Sequence, residues 1–397
     1  MNKGTNSQTA TQQRKTAEII VVANEKGGVG KTTSCHHIAA CLKAMGYRVL
    51  LVDGDPSGNL SCATLTEIPE LVLYDVLRKR CSIMDAIYET PIADILPTIK
   101  DVPGEDGGFS VERKTLTTII SEMNSSKVGS YYMGQLLRNS PIMEKYDFVI
   151  CDSSPADTIL VTNLLLCANS IIIPCELSSA SANGFYMMLA SVNEAKDLRH
   201  TMAAKLKDPS SYNLELNIDG IVFANYSMTY KTDKKEYEGL VELVKELGIP
   251  AYSTKIRHSG NLKDCLNENR PITDYTNSGT GYADCMNFAL EFLAKRKLAP
   301  RVMVPGIIKD ENNSYIFCDK NTRFYTYEVV GDCVKIHTHS FSKSLLDNED
   351  FMGQIGETVF FSYDTLSDFL RYIGLNIVDV LPEGDASEVK DGANDGT

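Results

Sequence analysis

The segment NEKGGVGKTT, Asn24 to Thr33, places three glycines, two lysines and two threonines directly after an apolar run and directly before a stretch of helical spacing. That is the chemistry of a phosphate cradle. Gly27, Gly28 and Gly30, with Val29 between them, let backbone N–H groups turn inward around phosphate oxygens, and a helix opening at Lys31 adds its positive end. Lys31 is spaced to reach the β and γ phosphates of a nucleoside triphosphate. Thr32, followed by Thr33, offers a hydroxyl to Mg²⁺. Two positions depart from the generic G-x-x-x-x-G-K-T pattern: Glu25 replaces its first glycine, and a second lysine stands at Lys26. Two acidic segments follow. VLLVDGDPSGNL, Val49 to Leu60, ends an apolar run on Asp53 and Asp55; YDFVICDSSP, Tyr146 to Pro155, sets Asp152 after four apolar residues.

These residues need a scaffold, and the apolar patterning supplies one. Short apolar runs at 18–23, 48–52, 94–96, 148–151, 170–174 and 218–224 read as buried strands, and helical spacing is found at 31–45, 129–144, 158–168, 183–206, 233–247 and 281–297. Continuous apolar strands alternating with helices indicate an α/β fold: a doubly wound, mostly parallel sheet with helices on both faces. Such sheets bind ligands at the carboxyl ends of their strands. After Pro300 the pattern becomes short runs rich in Tyr, Phe, Val and Ile, punctuated by Asn312-Asn313 and Gly331-Asp332, with one helix near 363–373. The expected organisation is a disordered extension over 1–16, an ATPase domain over 17–299, a small α+β accessory module over 300–382 and a disordered acidic tail over 383–397.

Composition narrows the function classes. The chain has 397 residues, 43% of them hydrophobic, enough for a full core plus an appendage. Its 11 cysteines form no C-x-x-C pair and lie mostly in apolar runs, which reads as buried thiols in a reducing compartment and not as a disulfide framework or zinc site. His36-His37 and His337-x-His339 lack the spacing of a completed metal site. No secretory leader and no span of about 18 apolar residues is expected, which points to a cytoplasmic protein. The net charge is -13, and residues 301–397 hold 8 Lys and Arg against 17 Asp and Glu. Global acidity excludes wholesale coating by DNA but leaves room for a local basic patch, for which Lys295, Arg296 and Lys297 are candidates beside Lys231, Lys234 and Lys235. Each such cluster is more often a solvated face.

The form K-G-G-x-G-K-T-T resembles the deviant Walker A motif of the ParA/MinD family of P-loop ATPases, and the resemblance extends in order and spacing to about residue 297. The DGDPSGN segment is similar to the family's D-x-D-P-Q-G-N, with Ser57 in place of the glutamine. CDSSP resembles its Walker B strand and switch II, with Ser153, Ser154 and Pro155 where C-P-P or T-P-P is commoner. The resemblance implies a homodimer formed with ATP, in which Lys26 reaches the partner subunit's nucleotide. It implies that Asp55 orients the attacking water, and that Asp53 and Asp152 join Thr32 around magnesium. Asn225, in GIVFANY, stands where the family often contacts adenine, and Arg257 stands in the segment flanking the base; the alternatives are a strand-end polar residue and a surface arginine. Similarity is greatest to ParA-type members, which implies nonspecific DNA binding, a ParB-like activating partner and a place on the nucleoid. The acidic ending EGDASEVKDGANDGT lacks the apolar face a MinD-like membrane helix needs. An N-terminal extension this short leaves no room for a helix-turn-helix. A cargo-positioning or regulatory ATPase that acts through protein partners and scarcely touches DNA remains the other reading.

Overall fold

The computed structural model describes residues 16–99, 116–124, 132–155, 158–176, 181–204, 215–226, 231–274, 280–302, 304, 307–309, 315–317, 326–330, 333–337, 353–355 and 358–362. Seven strands form a wholly parallel sheet: β1 (Glu18–Val22), β2 (Val49–Gly54), β3 (Asp94–Leu96), β4 (Phe148–Ser153), β5 (Ser170–Cys175), β6 (Asn217–Tyr226) and β7 (Ala251–Arg257). Their order is β3-β2-β4-β1-β5-β6-β7, so the chain runs outward in both directions from β1 and β4. Along β1, Ile19 and Val21 enter one buried cluster and Ile20 and Val22 the other. Successive side chains on a strand point to opposite faces, so a strand covered on both sides must be apolar at every position.

The helices that cover those faces are α1 (Lys31–Ala44), α2 (Asn59–Thr64), α3 (Leu73–Leu77), α4 (Leu116–Asn124), α5 (Tyr132–Arg138), α6 (Ile142–Lys145), α7 (Ile159–Cys167), α8 (Ser181–Ala203), α9 (Lys231–Glu246), α10 (Gly260–Asn267) and α11 (Thr280–Lys295). Residues of α3, α4, α5, α7, α8 and α9 join one cluster, and residues of α1, α2, α10 and α11 the other. The single helix expected over 129–144 is two, α5 and α6, because Pro141 cannot continue a helix but suits the start of the next. Helix α4 was not expected. Its Leu116, Ile119 and Met123 are buried at helical spacing, a run too short to stand out in the sequence. Strand β7 also escaped the sequence reading, since an edge strand that alternates buried and exposed residues carries little apolar signal. No described helix is long and apolar enough to cross a membrane.

Packing of the α/β core continues past Pro300. The Arg301 guanidinium bonds both oxygens of Asp147 at 2.7 and 2.9 Å and lies 4.3 Å above the Tyr47 ring. Strands β8 (Ile307–Lys309) and β9 (Tyr315–Phe317) then pair antiparallel about the Asn312-Asn313 segment. Ile307 and Phe317 are buried in the cluster that holds α1 and α11, with the Phe317 ring edge-on to Tyr282 and its N–H donated to Asn287 Oδ1 at 2.8 Å. Beyond it, β10 (Thr326–Val330), β11 (Cys333–His337), β12 (Gly353–Ile355) and β13 (Thr358–Ser362) form an antiparallel sheet in the order β10-β11-β13-β12. Val330 pairs with Cys333 across Gly331-Asp332, the hairpin that the sequence signalled there. The helix expected at 363–373, the tail at 383–397 and residues 1–15 of the N-terminal extension lie outside the described residues.

Candidate active site

The phosphate loop spans the gap between the end of β1 and the first residue of α1. Gly28 and Gly30 have φ of 78° and 87°, a left-handed backbone that side chains disfavour, and a Cβ on Gly30 would come within 3.2 Å of the Ala224 Cβ. The loop is braced from both sides. Asn24 donates Nδ2–H to the Pro174 carbonyl at 2.8 Å and accepts the Lys26 N–H at 2.9 Å, while Glu25 accepts the Ser191 hydroxyl of α8 at 2.5 Å. Val29 is fully buried, and Gly27 and Gly28 face solvent. Lys31 is buried at the mouth of α1, its Nζ donating to the carbonyls of Asn24 at 3.0 Å and Lys26 at 2.9 Å. Burial lowers its pKa, against the pull of Asp152 and Asp55. Thr32 and Thr33, half-buried, open the helix behind it.

Asp53 and Asp152 stand side by side, paired in register across β2 and β4, and both are fully buried. A Cβ on Gly54 would lie 2.7 Å from the Asp152 carbonyl, so glycine between the two acids of D-G-D is what lets β2 approach β4. Thr32 donates its hydroxyl to Asp152 Oδ2 at 2.6 Å. Burial, then the neighbouring Asp53, pushes the Asp152 carboxyl up to about 8, with Thr32 and Lys31 opposing. Burial also raises Asp53, to about 6. Two buried carboxylates that resist ionisation beside a threonine hydroxyl form a set of hard oxygen donors, and a small divalent cation would relieve the charge they carry. The oxygens of Asp53 are already engaged: Oδ2 accepts the Ser61 N–H at 2.8 Å and the Ser61 hydroxyl at 2.6 Å, and Oδ1 accepts the Asp55 N–H at 3.2 Å. Asp53 therefore caps the start of α2 with oxygens that are already bonded. Asp55 is 8% exposed and its Oδ1 accepts the Ser57 N–H at 2.9 Å. Ser153 and Ser154 are buried, Ser153 donating its hydroxyl to the Val22 carbonyl at 3.0 Å, and Pro155 is exposed.

At the other rim of the loop, Lys26 Nζ lies 3.5 Å from Glu176 Oε2 of its own chain, and Glu176 Oε1 accepts the Asn225 Nδ2–H at 2.8 Å. Sequence reasoning missed Glu176. Its signal was its place directly after β5, at the strand ends where such sheets bind ligands. Arg257 ends β7 and makes a two-pronged bond to Asp284 at 2.6 and 2.8 Å. Behind the loop, α1 carries the buried His36 and His37. Their Nε2 atoms meet the carbonyls of Ala63 at 3.2 Å and Leu262 at 3.1 Å, tying α1 to α2 and α10.

The basic patch requires a correction. Arg296 is not a DNA contact: its side chain is 5% exposed and bonds Glu18 at 2.8 Å and Asp219 at 3.0 Å. Burial works against its charge, and the two carboxylates outweigh it, so its pKa is raised. Lys295 stays exposed, donating to the Asp219 carbonyl at 2.9 Å with its Nζ 3.9 Å from the centre of the Tyr252 ring. Lys297 and Lys235 are exposed. The side chains of Lys231 and Lys234 lie outside the described residues.

The comparisons with known proteins agree with this geometry. A family model described as an AAA domain matches residues 17–207. The chromosome-partitioning ATPase Soj of Treponema pallidum is 27% identical over 280 residues, covering 70% of this chain and 98% of the relative. The sporulation initiation inhibitor protein Soj of Bacillus subtilis is 26% identical over 281 residues, again 70% of this chain and 98% of the relative. Among solved structures, the ATP complex of a Cyanothece McdA variant superposes with a TM-score of 0.55 at 20% identity, covering 72% of this chain and 99% of that one, which is a likeness of fold. Motif order, sheet topology and relatives converge on one likeness: the chain is similar to the ParA/MinD family of deviant Walker A P-loop ATPases.

Proposed function

We propose that the protein is a Mg-ATP-dependent, dimerising ATPase of the ParA type that partitions plasmid, chromosome or mobile-element DNA, with hydrolysis stimulated by a ParB-like partner. The observation that carries this reading is the convergence of Lys31, Thr32, Asp55 and Asp152 on one loop at the strand ends. Lys31, the loop N–H groups from Gly27 to Gly30 and Thr33 bind the triphosphate. Thr32 and Asp152 would hold Mg²⁺, with Asp53 beside them bonded to Ser61. The ion, when bound, neutralises charge on the phosphoryl oxygens. Asp55 orients a water toward the γ-phosphorus; the bond to the β-phosphate oxygen breaks, and ADP and phosphate leave. Ser153, Ser154 and Pro155 form the segment that responds to the γ-phosphate. Asn225 and Arg257 flank the base. Lys26 exchanges its pairing with Glu176 for the partner subunit's nucleotide when the dimer forms.

A second reading, a cargo-positioning or regulatory ATPase with little DNA contact, is favoured by the burial of Arg296 against Glu18 and Asp219, which removes one cation from the expected patch. DNA retention measured against salt, with and without ATP, separates the two. Under the partition reading, retention requires ATP and falls steeply with salt, and Asp55→Ala prolongs it while slowing hydrolysis by about 10²-fold. Retention absent at low salt with ATP present would favour the second reading.

A further inference from the structure

The hydrogen bond between Asn225 and Glu176 has a fixed polarity. A carboxylate beside a lysine ammonium accepts and does not donate, so the Asn225 amide must turn its NH₂ toward Glu176 Oε1, at 2.8 Å, while Oε2 of the same carboxylate faces Lys26 Nζ at 3.5 Å. The opposite edge of the amide is then the carbonyl Oδ1, an acceptor, and among the described residues no donor meets it. Asn225 itself is held in the left-handed region, φ 54°, at the carboxyl end of β6, and the preceding residue, Ala224, packs against Gly30 of the phosphate loop. The amide therefore stands on the rim of the phosphate site with its orientation set from behind.

We propose that Glu176 is a positioning residue for base selection: it holds Asn225 as an acceptor, so that the site takes a base with an exocyclic amino donor and rejects one with a keto oxygen at the same place. Adenine presents an amino group at position 6, and guanine an oxygen. Against guanine the Asn225 carbonyl would face a second acceptor, and turning the amide over would break its bond to Glu176. This rests on the reading of Asn225 as flanking the base. One hydrogen bond made with adenine and replaced by an acceptor clash with guanine corresponds to a preference of about 10- to 100-fold.

The test uses the full chain with Mg²⁺ and fluorescent ATP and GTP analogues, with dissociation constants measured by titration for wild type, Glu176→Gln, Glu176→Ala and Asn225→Ala. A glutamine at 176 accepts or donates equally well, and an alanine does neither, so both release the amide. The expected result is an ATP preference of about tenfold or more in wild type that falls to within about threefold in both Glu176 variants and in Asn225→Ala. The ratio isolates the base, because any change made through Lys26 acts on the phosphates common to both nucleotides. A wild-type ratio that persists in both Glu176 variants but is lost in Asn225→Ala overturns the role of Glu176 and leaves the base site standing. A ratio that persists in Asn225→Ala as well refutes the base site itself, and a wild type without preference overturns the proposal directly.

Discussion

Replacing Arg296 by alanine would strand two carboxylates at the amino-terminal edge of the sheet. The side chains of Glu18 and Asp219 are each 13% exposed, and Arg296, 5% exposed, is the guanidinium that both share. It also donates to the Phe292 carbonyl at 3.1 Å and to the Ser170 hydroxyl at 3.3 Å. Removing one partner from a buried ion pair costs about 3–5 kcal/mol, because the desolvated charge left behind has no compensation. Here two carboxylates lose their cation, so Arg296→Ala belongs at the upper part of that range, a large share of the roughly 5–15 kcal/mol that separates folded from unfolded domains. Urea unfolding followed by far-UV circular dichroism measures it, with a lowered midpoint and an unchanged slope. A rescue isolates the cause. Arg296→Met combined with Glu18→Gln and Asp219→Asn removes the stranded charges and should recover most of the loss. DNA retention of folded Arg296→Ala, assayed well below its midpoint, should match wild type. A variant that unfolds at the wild-type urea concentration but no longer retains DNA would refute the burial argument and return Arg296 to the DNA surface.

Lys31→Ala should abolish ATP binding, whereas Lys26→Ala should bind ATP measurably but fail to dimerise or hydrolyse it; a Lys26→Ala protein that still dimerises with ATP in size-exclusion light scattering would sink the role in trans. Burial holds His36 down to about 4 and His37 well below its ordinary value, so the fold keeps both rings neutral. That stability is present above pH 6.5 and is lost as the pH falls toward the folded-state value, by about 3 kcal/mol for His36 alone. Urea midpoints between pH 7 and 4.5 should therefore fall less steeply in His36→Gln than in wild type. A chain ending at Pro300 should be less stable by about 3–6 kcal/mol than one ending at residue 320, since it exposes the surface that Ile307 and Phe317 cover, and the longer chain should bind ATP like the full protein.

The glycine-rich loop, the two acidic segments and the parallel sheet were legible in the sequence, because each is written in consecutive residues. A glycine-rich loop between a strand and a helix, an aspartate closing an apolar run and the spacing from Lys31 to Asp152 need no knowledge of what packs on them. What lay beyond the sequence depends on partners far away along the chain. Lys295, Arg296 and Lys297 look alike as neighbouring cations, yet Arg296 is taken inward by Glu18 and Asp219, residues 278 and 77 positions distant, while Lys295 and Lys297 stay exposed. Glu176 carries no motif, and its meaning comes from Lys26 and Asn225, which the parallel sheet brings to the same rim. The break at Pro300 was visible as a change of composition, but the burial of Ile307 and Phe317 beneath it was not. Composition reports what a segment is made of, whereas burial is decided by the surface it meets, and that surface exists only once the sheet and its helices have assembled.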